Sequence, residues 1–364
     1  MHHASARLTI ERTLASSAFA DQGLALTLAG AVADLPGAVA DLPGADDALR
    51  VRLVERALAF APDRAPAYVT PLHDATIPED VAALTAQLAP AIAAMPAASG
   101  LQVASLHALC VLWPHVATSE RRALRTRFLA GCAARSAPAG SAVDSAQLCA
   151  WQRDLPTGTC ELPPSVASLK ALLAAQQPHQ AYRVLAEHLG CAMDLPTLHW
   201  VLGALSVQVM LRLRDPHGWL VQCLLGTVAG ERLASHAPPE HLATLVSQLG
   251  HQLWWCQARA GLPPVRSCLD APPQDFAQAV RGGDITAAQR AARTACADPT
   301  RFWTGVWVLV EDAMAWDDAH WLRALAAASA FAWRTGDAMS PDDAAALGTV
   351  LADLTYRSRA AVVA

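Results

Sequence analysis

The sequence predicts an all-α protein of antiparallel helices in a stacked-hairpin or bundle arrangement, with no sheet of more than two strands. Three observations lead there. Ala and Leu dominate while β-branched clusters are few, apolar positions recur every three or four residues rather than every two, and Pro and Gly fall between the periodic stretches. A period near 3.6 is the mark of an amphipathic helix, and Pro and Gly mark its ends. The 364 residues suit one large helical domain, with a weak division near 1–160 and 161–364 as the alternative.

Taken in order, helices are expected over 5–19, 22–33, 46–60, 79–94, 100–113, 118–134, 143–151, 164–176, 179–190, 196–213, 217–234, 239–260, 273–281, 284–296, 299–315, 317–335 and 341–357. Leu101–Trp113 illustrates the pattern: Leu101, Ser105, Leu106, Leu109 and Leu112-Trp113 share one broad helical stripe. Leu198–Leu213, Leu242–Trp255 and Phe302–Met314 repeat it. Several starts carry caps. Thr118-Ser119-Glu120 precedes one helix, Asp298-Pro299 opens another, and Ser340-Pro341-Asp342-Asp343 combines an N-cap serine, an N1 proline and early acids. Gly282-Gly283, within Arg-Gly-Gly-Asp, reads as a C-cap followed by an Asp-led restart.

Two repeats are visible. AVADLPG at Ala31–Gly37 recurs letter for letter at Ala38–Gly44, and its Leu-Pro-Gly turns suit a duplicated surface loop. The stretches starting at Ser99 and at Pro196 each give an apolar helix, a polar break and a second amphipathic helix, as stacked helical hairpins would.

Hydrophobic residues make up 53% of the chain and charged residues only 16%, against about 25% charged in an average globular chain. The surplus predicts a large core, or an apolar surface facing a ligand or partner. The net charge of −5 and the lack of a basic tract argue against a nucleic-acid partner. The arginines at 121, 122, 125 and 127 read as the solvated side of a helix. No uncharged apolar run reaches bilayer length, so no membrane span is expected. Leu24–Ala33 resembles a signal sequence, but Glu11 and Asp21 precede it where a basic start belongs. Nine scattered cysteines with no Cys-x-x-Cys pair point to reduced thiols and a cytoplasmic protein.

No glycine-rich phosphate loop, Gly-x-Ser-x-Gly elbow or His-Glu-x-x-His motif is present. Asp317-x-x-His320 is the nearest approach to a di-iron pattern, and the acids Glu311, Asp312, Asp317 and Asp318 suit a solvated helix end. His107, His115, His188, His199 and His251 lie in or beside apolar helices, and Cys110 and Cys191 follow His107 and His188 at i+3. Each histidine is either a hydrogen-bonded core residue or, where several converge, a metal ligand; His199, His107, His188 and His251 are the candidate ligands. Eleven tryptophans stand against three tyrosines, and Trp254, Trp255, Trp303, Trp307, Trp316, Trp321 and Trp333 crowd the C-terminal third. They are either core packing or the wall of a cavity for a flat hydrophobic ligand.

LHALCVLWPHVATSERRALRTRFLAG (Leu106–Gly131), TLHWVLGALSVQVMLRL (Thr197–Leu213) and FAQAVRGGDITAAQRAART (Phe276–Thr294) resemble elements of the questin oxidase-like family. The resemblance implies an all-helical oxygenase acting on a hydrophobic aromatic, polyketide-like small molecule, with non-haem iron or NADPH as candidate cofactors. His199 matches the leading histidine of the family's helix; in the first stretch Gln102 stands at that place, with His107 one turn on. The family's early Asn-His-Leu element has no histidine counterpart near Gly23–Ala29.

Two functions follow as expectations. One is an oxidoreductase with His199 as the catalytic group, able to move a proton near pH 6–7. The other is a non-catalytic helical protein that binds a small molecule or a partner protein, a second copy of the chain included. In either case the ligand is expected between Thr197–Leu213, bearing His199 and Trp200, and the helices bearing Trp254, Trp255, Trp303 and Trp307.

Overall fold

The computed structural model describes residues 76–93, 100–134, 147, 166–189, 195–213, 218–236, 239–259, 275–313, 318–336 and 339–363. Among them are thirteen α-helices and no strand: α1 (Val81–Ala93), α2 (Gly100–Leu112), α3 (Thr118–Ala134), α4 (Val166–Ala174), α5 (Pro178–Leu189), α6 (Leu195–Met210), α7 (Trp219–Leu233), α8 (Pro239–Arg259), α9 (Phe276–Arg281), α10 (Ile285–Ala295), α11 (Pro299–Ala313), α12 (Asp318–Thr335) and α13 (Pro341–Val363). The all-α prediction holds, and no helix among the described residues is long and apolar enough to cross a membrane. The helices expected over 5–19, 22–33 and 46–60, and the AVADLPG repeat, lie outside the described residues, as does all but residue 147 of 143–151.

Helix α7 is the hub. It packs against α2, α6, α8 and α12, and eleven of its residues are buried. Glycine makes the α2–α7 crossing close. A Cβ on Gly100 would overlap the Gln222 carbonyl, and one on Gly226 would overlap Gly100, so the two backbones touch where any side chain would hold them apart. Helix α8 secures the crossing through Gln252, whose Oε1 accepts from Gly100 N at 2.7 Å while its Nε2 donates to Trp219 O at 3.3 Å. One apolar cluster runs from Leu84 in α1 to Leu354 in α13.

Polar side chains fix the outer elements. Arg125 of α3 is fully buried and donates to Thr76 O at 3.1 Å and Gln87 Oε1 at 2.7 Å, so this arginine of the basic cluster braces α3 against α1 rather than facing solvent. Arg122 is exposed as expected. The hydrophobic stripe could not reveal this, because burial of Arg125 rests on acceptors in another helix.

The caps at Asp284, Asp298 and Ser340 form as predicted. Asp284 Oδ1 accepts from Ala287 N at 2.9 Å, Asp298 Oδ1 from Arg301 N at 3.1 Å, and Ser340 Oγ from Asp343 N at 3.1 Å. Gly283 takes the left-handed conformation, φ 68°, between α9 and α10, the restart read from Arg-Gly-Gly-Asp. Helix α13 runs to Val363, six residues beyond the predicted end at 357. Arg357 pairs with Asp353 one turn back, an i,i+4 contact that supports the helix at the predicted end.

Candidate functional site

His199 lies on the face of α6 that meets α7, with no solvent exposure. Its imidazole occupies the room left by Gly230: a Cβ there would overlap the ring, with Nδ1 at 2.5 Å and Nε2 at 2.7 Å. Neither ring nitrogen has a hydrogen-bond partner. Burial alone drives the imidazole's pKa from 6.5 to about 3, because a charged ring cannot be solvated there. His199 is therefore neutral at physiological pH, and a proton exchange centred near pH 6–7, as the sequence suggested, is not its behaviour.

The other histidines occupy separate settings. His107 of α2 meets Trp333 of α12 edge-on, ring centroids 5.4 Å apart, and Arg232 of α7 covers Trp333 at 5.3 Å. His251 of α8 packs against Trp254 on its own helix at 5.3 Å. His188 is on α5, and its side chain lies outside the described residues. Among the described residues, no three His, Cys, Asp or Glu side chains gather closely enough to hold a metal ion. The described residues thus gather no ligand set for a non-haem iron.

The tryptophans form several small aromatic sets. Trp254 donates to Ala175 O at 2.7 Å. Trp255 meets Trp219 edge-on at 6.0 Å and lies under Arg259 at 4.9 Å. Trp303 and Trp307 stack at 6.3 Å along α11, next to Phe302. Trp200 points outward, 50% exposed, with Arg334 over its ring at 5.4 Å. Arg334 in turn pairs with Asp343 at 3.0 Å, joining α6, α12 and the start of α13.

A pocket opens at the other end of α6. Met210 and Leu213, Gly218, Leu220 and Val221 at the head of α7, Ile285, Val350 and Leu354 give it apolar walls. Arg323 of α12 and Thr349, Asp353 and Arg357 of α13 supply its polar groups. None of the five tryptophans expected to line a cavity is among them. Its volume is about 30 Å³ and it is partly open to solvent. That is space for a few heavy atoms, since about 10–15 Å³ on this measure holds one water.

The pocket's frame is held from both sides. Gln289 Nε2 donates to Leu211 O at 3.1 Å and to Thr349 Oγ1 at 2.9 Å, which joins α10 to the end of α6 and to α13. Gly218 caps α7 with φ 72° and no side-chain hydrogen bond. The stem of Arg323 lies along it, with Cδ, Cγ and Nε at 3.7, 3.8 and 3.9 Å from where a Cβ would stand. Asp353 and Arg357 pair at 2.8 Å through Nε.

Arg323 makes no hydrogen bond or ion pair among the described residues. Sequence reasoning missed it. A single arginine in an amphipathic helix looks like any solvated charge, and only the fold shows that no described carboxylate pairs with it. The Asp353-x-x-x-Arg357 spacing was legible, but as a helix-stabilising pair.

The class defined by this architecture is an all-helical protein organised around α7. No family model, no curated protein and no solved structure matches the chain.

Proposed function

We propose that this is a non-catalytic helical protein that binds a small molecule in the pocket at the junction of α6, α7, α10, α12 and α13. One observation carries the reading. A concave site with apolar walls also presents a guanidinium that no described group of the protein pairs. Binding sites have this composition, an apolar lining with few polar groups that orient the ligand. The pocket takes one group of a ligand, and the rest of a larger molecule stays at its mouth.

Thermal unfolding with a series of small aromatic probes tests this. A saturable rise in midpoint is expected, because a ligand that binds only the folded state stabilises it. Val350→Trp, at the half-buried rim, is expected to abolish the rise while leaving the helical spectrum unchanged. Stabilisation that Val350→Trp leaves intact would remove this pocket from the reading.

The oxygenase implied by the family resemblance is the second reading. It is favoured by His199, a buried neutral imidazole with both nitrogens unengaged. The described residues offer no iron site, so no step through a metal is derived. Near-stoichiometric iron in the purified protein, lost in His199→Ala, would favour the oxygenase over the binding protein.

A further inference from the structure

The polar face of the same pocket carries a charge preference, and the inference rests on the binding reading above. Two guanidinium groups, Arg323 and Arg357, and one carboxylate, Asp353, line it, leaving a formal charge of +1 within a chain whose net charge is −5. Asp353 is committed to Arg357, its helix neighbour one turn away, at 2.6 Å from Nη2. Arg323 is half-buried and has no counter-charge among the described residues. Its side chain passes Gly218, with Cδ, Cγ and Nε 3.7, 3.8 and 3.9 Å from where a Cβ would stand.

We propose that this pocket binds an oxyanion, a carboxylate or phosphate, with Arg323 as its direct ligand. Three physical points converge. A planar guanidinium matches the two oxygens of such a group and holds them in a bidentate pair. A half-buried cation with no partner among the described residues gains more from an incoming anion than a fully solvated one does. The head of α7, with Leu220 and Val221 on the pocket wall, directs the positive end of its helix dipole to the same place. Arg357 adds a second positive group whose own pairing keeps it in position. The apolar walls favour an anion carried on an apolar body over a fully hydrated one, and the volume of about 30 Å³ admits the anionic group while the body rests at the opening. Free phosphate and the anionic end of a longer molecule share this chemistry.

Calorimetry and thermal shift at constant ionic strength separate the cases, using inorganic phosphate, phenyl phosphate and benzyl alcohol on the full chain. Phenyl phosphate is expected to bind saturably, and Arg323→Gln to weaken it at least tenfold while leaving benzyl alcohol unchanged. Gly218→Asp supplies an internal carboxylate beside Arg323 at a position whose left-handed backbone aspartate tolerates, and it is expected to weaken phenyl phosphate by a similar factor with the helical spectrum retained. Arg183→Gln, an exposed position on α5, is expected to change nothing. A tenfold preference for phenyl phosphate over inorganic phosphate identifies the head of a longer molecule, and equal affinities identify a free oxyanion. Benzyl alcohol binding as tightly as phenyl phosphate, or Arg323→Gln leaving phenyl phosphate unaffected, overturns the oxyanion assignment and spares the pocket. Failure of all three probes overturns both. An equal loss in Arg183→Gln reduces the effect to general charge and overturns the assignment as well.

Discussion

At the scale of single residues, His199 is the clearest case of a side chain whose setting reverses its expected behaviour. In sequence it is a histidine on an apolar helix, next to a tryptophan. In the fold it fills the space over Gly230 with no hydrogen-bond partner. A buried polar group without a partner costs about 1–3 kcal/mol, so His199→Leu is expected to stabilise the protein by about that amount. The pH dependence follows from the depressed folded-state pKa. Above pH 6.5 both folded and unfolded forms hold a neutral ring, and its contribution to stability is level. As pH falls from 6.5 toward about 3, only the unfolded chain takes the proton, and stability drops by up to about 1.4 kcal/mol per pH unit. Denaturant titrations should show His199→Leu gaining about 2 kcal/mol more on the wild type at pH 5 than at pH 7. An equal difference at both values would mean that water or another group solvates the ring.

At the scale of helices, two glycines make opposite predictions for one substitution. Gly305 of α11 has only Phe276 Cδ1, at 3.8 Å, near a prospective Cβ. Gly305→Ala should therefore stabilise by about 0.5–1 kcal/mol, the ordinary gain of alanine over glycine in a helix. Gly226→Ala puts the same methyl into the backbone of α2 and should cost about 1–3 kcal/mol or more, because neither helix can yield without moving the hub. Chemical denaturation of the two variants reads both signs. The Ser340 cap, which donates to Asp343 Oδ2 at 2.6 Å as well as accepting from its amide, should cost about 1 kcal/mol when replaced by Ala.

Helices were the most legible part of the sequence, for a physical reason. Their apolar period and their capping residues are local, so α3 is predicted at its observed bounds, 118–134. Partnership is not local. The stripe on α2 does not say that α7 covers it, and nothing around Arg323 says that no described acid pairs with it. The tryptophan count suggested one aromatic wall. The described rings instead form several small sets, some with an arginine, histidine or carbonyl partner, such as Arg121 over Trp113 at 5.3 Å.

At the scale of the whole molecule, cysteine chemistry follows from the packing. Cys110, Cys132, Cys223, Cys256 and Cys296 are free and buried. Burial pushes the Cys110 thiol up to about 11, against the opposing contact with the Thr85 hydroxyl at 3.3 Å. A thiol held so far above neutrality has almost no thiolate to react. These five should stay inert toward a thiol reagent until the protein unfolds, and denatured, unreduced protein should titrate all nine cysteines. Four disulfides would overturn that expectation.

The glycine crossing at α7 also has a consequence in time. Gly100 N is held by Gln252, 152 residues further along the chain. At a synthesis rate of about 5–20 residues per second, α2 leaves the ribosome roughly 8–30 s before Gln252 exists. Through that interval Leu101, Val103 and Ala104, all buried in the finished protein, have no hub to cover them. Contacts so distant along the chain form late and slowly for a helical protein. Until α7 and α8 arrive, α1 is the neighbour in the finished fold that precedes α2 in the chain and can cover part of it.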